Sequence, residues 1–198
     1  MGSAQISVNE SGQATPRADL SYDPIIKGLD ASFWKTIAAT VSVSSNKIRL
    51  ASGGNIASYT QFKYGKFQFA VNVPTTPSAG EAKKWGLLLP AKATKGSMYF
   101  EITGTTFRAV SYDEDGTAET TTVTWSSYEA VETLYEIEWG PESGGTAGYV
   151  IFKINGTAVA THKTRVGHIA LPLYLINSDA DNTDIGYLSI KEVASYVD

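Results

Sequence analysis

The chain has 198 residues, 42% of them hydrophobic and 18% charged, the composition of an ordinary globular protein. Its net charge of −4 and its lack of any basic tract exclude nucleic acid as a partner, and no apolar run reaches the ~18 residues of a membrane span. There is no Cys, so a domain of this size, which buries roughly 70% of its unfolded surface, is expected to hold without staples and to suit a bacterial, viral or reducing setting.

Residues 1–22 are polar, rich in Ser, Gly, Ala and Gln, and carry little periodicity. They read as an N-terminal arm that engages either the body of the domain or another subunit of an assembly. The arm has no apolar core of the signal-peptide kind, and Ile6 stands where a myristoylation start needs Ser or Thr. Residues 23–198 read as one domain of short strands. Phe33 to Ile37 and Lys47 to Leu50 are the first. From Lys66 the chain alternates, placing Phe67, Phe69, Val71 and Val73 on one face until Pro74 ends the run. Trp85 to Leu89 is apolar throughout, as suits a strand buried on both faces.

Two hairpins follow from turn chemistry. Phe107–Tyr112 meets Thr120–Trp125 around Asp115-Gly116, and Gly148–Ile154 meets Thr157–Thr161 across Asn155-Gly156. Asn-Gly between alternating segments is the strongest short-range hairpin signal, because both turn residues take positive φ. Strands at Leu171–Ile176 and Ile185–Val193 close the chain. Tyr128 to Leu134 has room for a turn or two of helix, and no longer helical pattern is present. About a dozen strands with turn signals every ~8–12 residues mark an all-β, two-sheet antiparallel sandwich.

Several of these strands, in order, resemble laminarinase and agarase-type glycoside hydrolases of the concanavalin A-like superfamily. Tyr64-Gly65-Lys66-Phe67 leads through Val73-Pro74 to Trp85-Gly86-Leu87-Leu88-Leu89-Pro90, as a Tyr-Gly strand leads to a tryptophan strand in that family. Tyr135-Glu136-Ile137-Glu138-Trp139 followed by Tyr149 to Gly156 is similar to its next hairpin, and Ile185 to Tyr196 to its closing strand. The likeness spans residues 60–196 and implies a jelly-roll sandwich with a concave, sugar-binding sheet.

The resemblance also implies a test. The hydrolases carry Glu-x-Asp-x-Glu on the strand after the tryptophan strand, which places all three carboxylates on the concave face. Retaining hydrolysis needs two of them about 5–5.5 Å apart. The matching strand here is Gly96 to Ile102. With Glu101 as the last carboxylate the other positions are Ser97 and Tyr99; with Glu101 as the first they are Thr103 and Thr105. One carboxylate of three remains, so no catalytic residue is assigned and hydrolysis is not expected on this strand.

The candidate saccharide contacts are Trp85, Tyr99, Glu101, Tyr112 and Trp125, on strands that would build the centre of the concave sheet. Core packing is an equal reading for each aromatic, because alternation separates faces without saying which one is wet. Trp139 reads as core. The loop from Asn177 to Asp184 is the densest in acidic and amide oxygens, and Asn177, Asp179, Asp181 and Asp184 are candidate ligands for a structural calcium. It lacks the Gly and Glu of a calcium-binding loop, so a solvated Asx-rich turn is the competing reading, and no other cofactor is implied. Asp113-Glu114-Asp115-Gly116 is explained by its turn. His162 and His168 read as surface loop residues rather than a metal pair, and no G-x-S-x-G nucleophile elbow is present.

The expectation is a non-enzymatic surface module at a virion or extracellular surface. Its role would be a structural or decoration subunit of a virus-like or cell-surface assembly, with polysaccharide on the concave sheet. Alternatives are a stand-alone lectin-like module or a hydrolase with an unfamiliar site.

Overall fold

A computed structural model describes residues 20–22, 29–45, 47–89, 94–141 and 148–191. In chain order the strands are β1 (Leu20–Tyr22), β2 (Trp34–Ile37), β3 (Val41–Ser44), β4 (Lys47–Leu50) and β5 (Gly54–Phe62). Next come β6 (Gly65–Asn72), β7 (Ala82–Leu87), β8 (Met98–Thr103), β9 (Thr106–Tyr112) and β10 (Ala118–Val123). The last are β11 (Thr133–Pro141), β12 (Gly148–Ile154), β13 (Thr157–His162), β14 (Leu171–Asn177) and β15 (Thr183–Lys191). There is no helix among the described residues; of the stretch Tyr128 to Leu134, residues 128–131 form a turn and bend and Thr133 and Leu134 already belong to β11.

Two antiparallel sheets result. One runs β13-β12-β11-β6-β15-β4-β3, with β1 also paired to β15; the other runs β10-β9-β8-β7-β14-β5-β2. Neighbours far apart in sequence, such as β6 beside β15 and β14 between β5 and β7, make this a jelly-roll sandwich. Leu20–Tyr22, inside the stretch read as an arm, pair antiparallel with Leu188–Ile190 of β15. The remainder of that arm, residues 1–19, lies outside the described residues.

Alternation decides the core. Phe67, Phe69, Val71 and Val73 are all buried, as their spacing predicts, and face Met98, Phe100 and Ile102 of the opposite sheet in one continuous apolar cluster. Aromatic rings concentrate at its centre. The Trp85 ring lies 6.2 Å from Phe100 and 4.9 Å from Tyr135, and Phe100 lies 5.2 Å from Phe152, so rings from both sheets interlock.

Turn chemistry sets register. Asn155 and Gly156 take φ of 49° and 80°, and Ile154 pairs with Thr157 across them, the tight hairpin the dipeptide predicts. The β9–β10 hairpin differs from expectation by two residues. Its loop spans 113–117, so Tyr112 pairs with Ala118 and Phe107 with Val123. Asp113 causes this. Its backbone N–H donates to Thr117 O, and its Oδ1 accepts from Thr117 N at 2.8 Å, which closes the loop two residues sooner than expected. That backbone donor, with the Arg165 guanidinium, holds the Asp113 carboxyl below its ordinary range against the opposing effect of burial.

His162 corrects a second expectation. It is not a surface loop residue but ends β13 with its ring buried, 1% exposed. Ala160 and His162 point to the same side as successive inward positions of β13. The ring bridges the two sheets, with Nδ1 2.9 Å from Ser111 Oγ on β9 and Nε2 3.0 Å from Thr121 Oγ1 on β10. A neutral imidazole satisfies this, donating through one nitrogen and accepting through the other. Burial lowers its pKa below 6.5, against a raising influence from Glu119. The unfolded chain therefore takes up the proton first as pH falls. Stability from this group is complete above about pH 6.5 and is lost as pH drops through the lowered folded value. Urea midpoints measured from pH 7.5 to 5 should fall more steeply for the wild type than for His162→Gln. Parallel slopes would show that the ring is not titrating against the fold.

Candidate functional site

The strands of the seven-stranded sheet give alternate residues to the core and to the outer face. On β8, Met98, Phe100 and Ile102 point inward, so Tyr99 and Glu101 point outward. Antiparallel register then carries a row across the sheet. Ile176 of β14 pairs with Lys84, Lys84 with Glu101, Glu101 with Arg108, and Arg108 with Thr122 of β10. The adjacent row is Tyr174, Gly86, Tyr99, Val110 and Thr120.

The first row is charged and the second apolar. Lys84 Nζ lies 2.8 Å from Glu101 Oε1, and Arg108 Nη2 donates to Glu101 Oε2 at 2.5 Å. Directly opposed unlike charges on one sheet face attract. Here they do more, because Glu101 is only 6% exposed and a carboxylate so covered needs compensation. The Lys84 ammonium also sits 5.0 Å above the Tyr99 ring, within cation–π range.

Tyr99 and Val110 of the second row join Leu88, two residues beyond Gly86, in a small buried apolar cluster separate from the main core, flanked by the partly exposed Tyr112 and Tyr174. The Tyr99 and Tyr112 rings are 6.3 Å apart and inclined by 30°. Gly86 is what permits the arrangement. A Cβ there would lie 2.4 Å from Met98 O and 2.6 Å from Tyr99 Cα, so no side chain can intervene between Tyr174 and Tyr99. Burial, with the nearby charge of Glu101 second, raises the Tyr99 pKa well above the ordinary phenol value and keeps it neutral. Burial raises Tyr174 as well.

The structure therefore brings Tyr99, Glu101 and Tyr112 to one face. Trp85 and Trp125 are elsewhere, and their reading as saccharide platforms is corrected. Trp85 pairs with Phe100 on β8, the strand neighbour opposite to the Tyr99 face, and is 1% exposed in the inter-sheet core. Trp125 lies beyond the end of β10, 6% exposed, its ring 5.3 Å from Phe107 and its Nε1 donating to Thr76 Oγ1. Lys84, Arg108 and Tyr174 were not among the sequence candidates. Their signal was their place two residues from, or beside, the apolar positions of their strands.

The four calcium candidates are separated by their own bonds. Asp184 forms a two-pronged pair with Arg49, both contacts 2.8 Å. Asp181 accepts from Thr75, and Asn177 donates to Leu50 O and Asp181 O. Asp179 accepts from Ser78 N and faces the Lys83 ammonium at 3.3 Å. No group of three or more His, Asp or Glu suited to a metal occurs among the described residues.

Chemically, the outer face offers the partly exposed phenols of Tyr112 and Tyr174 beside fixed cations, both packed against the cluster of the Tyr99 ring, which is itself only 2% exposed. On β8 the positions sharing Glu101's face are Tyr99 and Thr103, so the strand supplies a single carboxylate.

The fold is an all-β, two-sheet jelly roll of the concanavalin A-like kind that β-glucanases also have. Among solved structures, the chain is similar to the Bacillus licheniformis β-glucanase (TM-score 0.68, 14% identity, 89% of this chain and 99% of that one). It is equally similar to the apo Crh5 transglycosylase (TM-score 0.68, 15% identity, 90% and 85%). The botulinum neurotoxin serotype D ligand-binding domain, solved with N-acetylneuraminic acid, shares the fold at a TM-score of 0.61 and 12% identity; this chain covers 43% of it. No family model matches the sequence, and no curated protein matches it.

Proposed function

We propose that the outer face of the seven-stranded sheet is a non-catalytic saccharide-binding surface. The observation that carries this is Glu101, the lone carboxylate of β8, covered and held by both Lys84 and Arg108 beside Tyr99. Two-carboxylate hydrolysis of the kind the resemblance implies draws its second carboxylate from this strand and needs a group free to exchange protons, and β8 carries Glu101 alone. Saccharide binding needs only aromatic faces with fixed polar groups around them, which Tyr112 and Tyr174, packed on the cluster of the buried Tyr99, supply with the charged row. The β-glucanase and the toxin ligand-binding domain, both named for work on or binding of ligands, lend the fold-level part of this reading.

Isothermal titration with a broad oligosaccharide panel tests it. At least one saccharide should bind the wild type, Tyr112→Ala should weaken it about tenfold through loss of a stacking ring, and no reducing ends should appear on incubation. Unchanged affinity in Tyr112→Ala, or steady release of reducing sugar, would overturn the proposal. The wider role, a structural subunit of a virus-like or cell-surface assembly, turns on residues 1–19. Sedimentation of the chain with and without them reads whether they join subunits.

A further inference from the structure

We infer that the saccharide taken by this face is anionic, bearing a carboxylate or sulfate that docks on Arg108 and Lys84. The inference rests on the saccharide-binding reading above and adds the ligand's charge class. Three observations carry it. The row Lys84–Glu101–Arg108 holds two cations for one carboxylate, on a chain whose overall charge is −4. The carboxylate is the covered member: side-chain exposures are 8% for Glu101, 23% for Lys84 and 36% for Arg108, so an approaching ligand meets the cations. Finally, the Arg108 guanidinium spends Nη2 on Glu101 and its Nε is enclosed, beyond a ligand's reach, so Nη1 is the nitrogen of this partly exposed side chain left to meet an anion. A fixed guanidinium with that nitrogen to spare, beside phenol rings, matches an acidic group on a sugar ring rather than a neutral hydroxyl.

In this arrangement Glu101 is an internal stand-in for the ligand's anion. It orients both cations when the face is empty and competes with the ligand when it is full. Lys84 reaches over the buried Tyr99 ring, against whose cluster the partly exposed Tyr112 and Tyr174 pack, and so holds the charged group beside those phenols.

The test compares galacturonate oligosaccharides, sialyllactose and sulfated carrageenan oligosaccharides with neutral laminarin and lichenan oligosaccharides on the full chain. At least one anionic probe should bind at least about tenfold more tightly than every neutral one. That preference should shrink between 50 and 300 mM NaCl, as exposed charge pairs are screened. Arg108→Gln should abolish the preference, Arg108→Lys should keep part of it, and Glu101→Gln should tighten the anionic probe several-fold; thermal melts confirm that each variant folds. Neutral oligosaccharides binding as well as anionic ones, with Arg108→Gln unchanged, overturn this inference but leave saccharide binding standing. Failure of every saccharide overturns both.

Discussion

Trp85→Ala is expected to lower stability by about 3–5 kcal/mol, the cost of deleting a large buried aromatic whose cavity only partly collapses. Its ring packs on Phe100, Phe107 and Tyr135 at centroid distances of 6.2, 6.0 and 4.9 Å, so the loss falls at the junction of the two sheets. Trp85→Phe should be the milder change. It keeps a ring in the cluster and removes an indole N–H that meets no hydrogen-bond partner among the described residues. Urea denaturation measures both. The contrast with Tyr112→Ala is diagnostic: the Tyr112 variant should lose ligand and little stability, Trp85→Ala the reverse. A Trp85→Ala chain as stable as the wild type but unable to bind would return Trp85 to the ligand face.

That contrast also marks what sequence can and cannot deliver here. The strand from Lys66 to Val73 and the Asn155-Gly156 hairpin were legible because their signals are local, a period of two and a pair of positive φ angles. The face of Trp85 was not. Trp85 to Leu89 is apolar at every position, so alternation has no phase within it, and its face is set by β8. Once Lys84 opposes Glu101, Trp85 must oppose Phe100 and point inward. The same register turns Lys84 and Arg108 from unremarkable strand residues into the two partners of Glu101. Trp125 was misplaced for a related reason, because the Asp113–Thr117 bonds close the β9–β10 loop two residues sooner than expected, so that β10 starts at Ala118 and ends at Val123. His162 shows the limit in another form. Its partners Ser111 and Thr121 are 51 and 41 residues away, beyond any local pattern.

The candidate site was therefore legible as a strand and a face, through Tyr99, Glu101 and Tyr112, but not as a charge arrangement. What differs is the kind of information. The missing carboxylates of β8 are a fact of composition at fixed spacing, whereas the compensation of Glu101 is a property of three strands held side by side. The proposed preference for an anionic ligand exists only at that second level.

Lys83→Met is expected to cost about 3–5 kcal/mol, because it strands a buried charge. Lys83 is fully buried at the end of β7, with its ammonium 3.3 Å from Asp179 Oδ2, 3.1 Å from Asp181 O and 3.4 Å from Asn182 O. Asp179, itself 2% exposed, would keep only the N–H groups of Ser78 and Asp181. Two carbonyls would lose a donor at the same time. Lys83→Met combined with Asp179→Asn should recover much of the loss, since the stranded charge is then gone, and the double-mutant cycle isolates the pair. A single Lys83→Met as stable as the wild type would mean that the loop does not depend on the ammonium. The loop from Asn177 to Asp184, read in sequence as a solvated Asx-rich turn or a calcium site, closes in the fold on a cation from the chain itself, Lys83, which is the direct β7 partner of Asn177 on β14. Because the ammonium occupies the oxygen-lined position, calcium added to the wild-type chain should leave its melting temperature unchanged. A calcium-dependent rise would show that the metal reaches the loop despite Lys83.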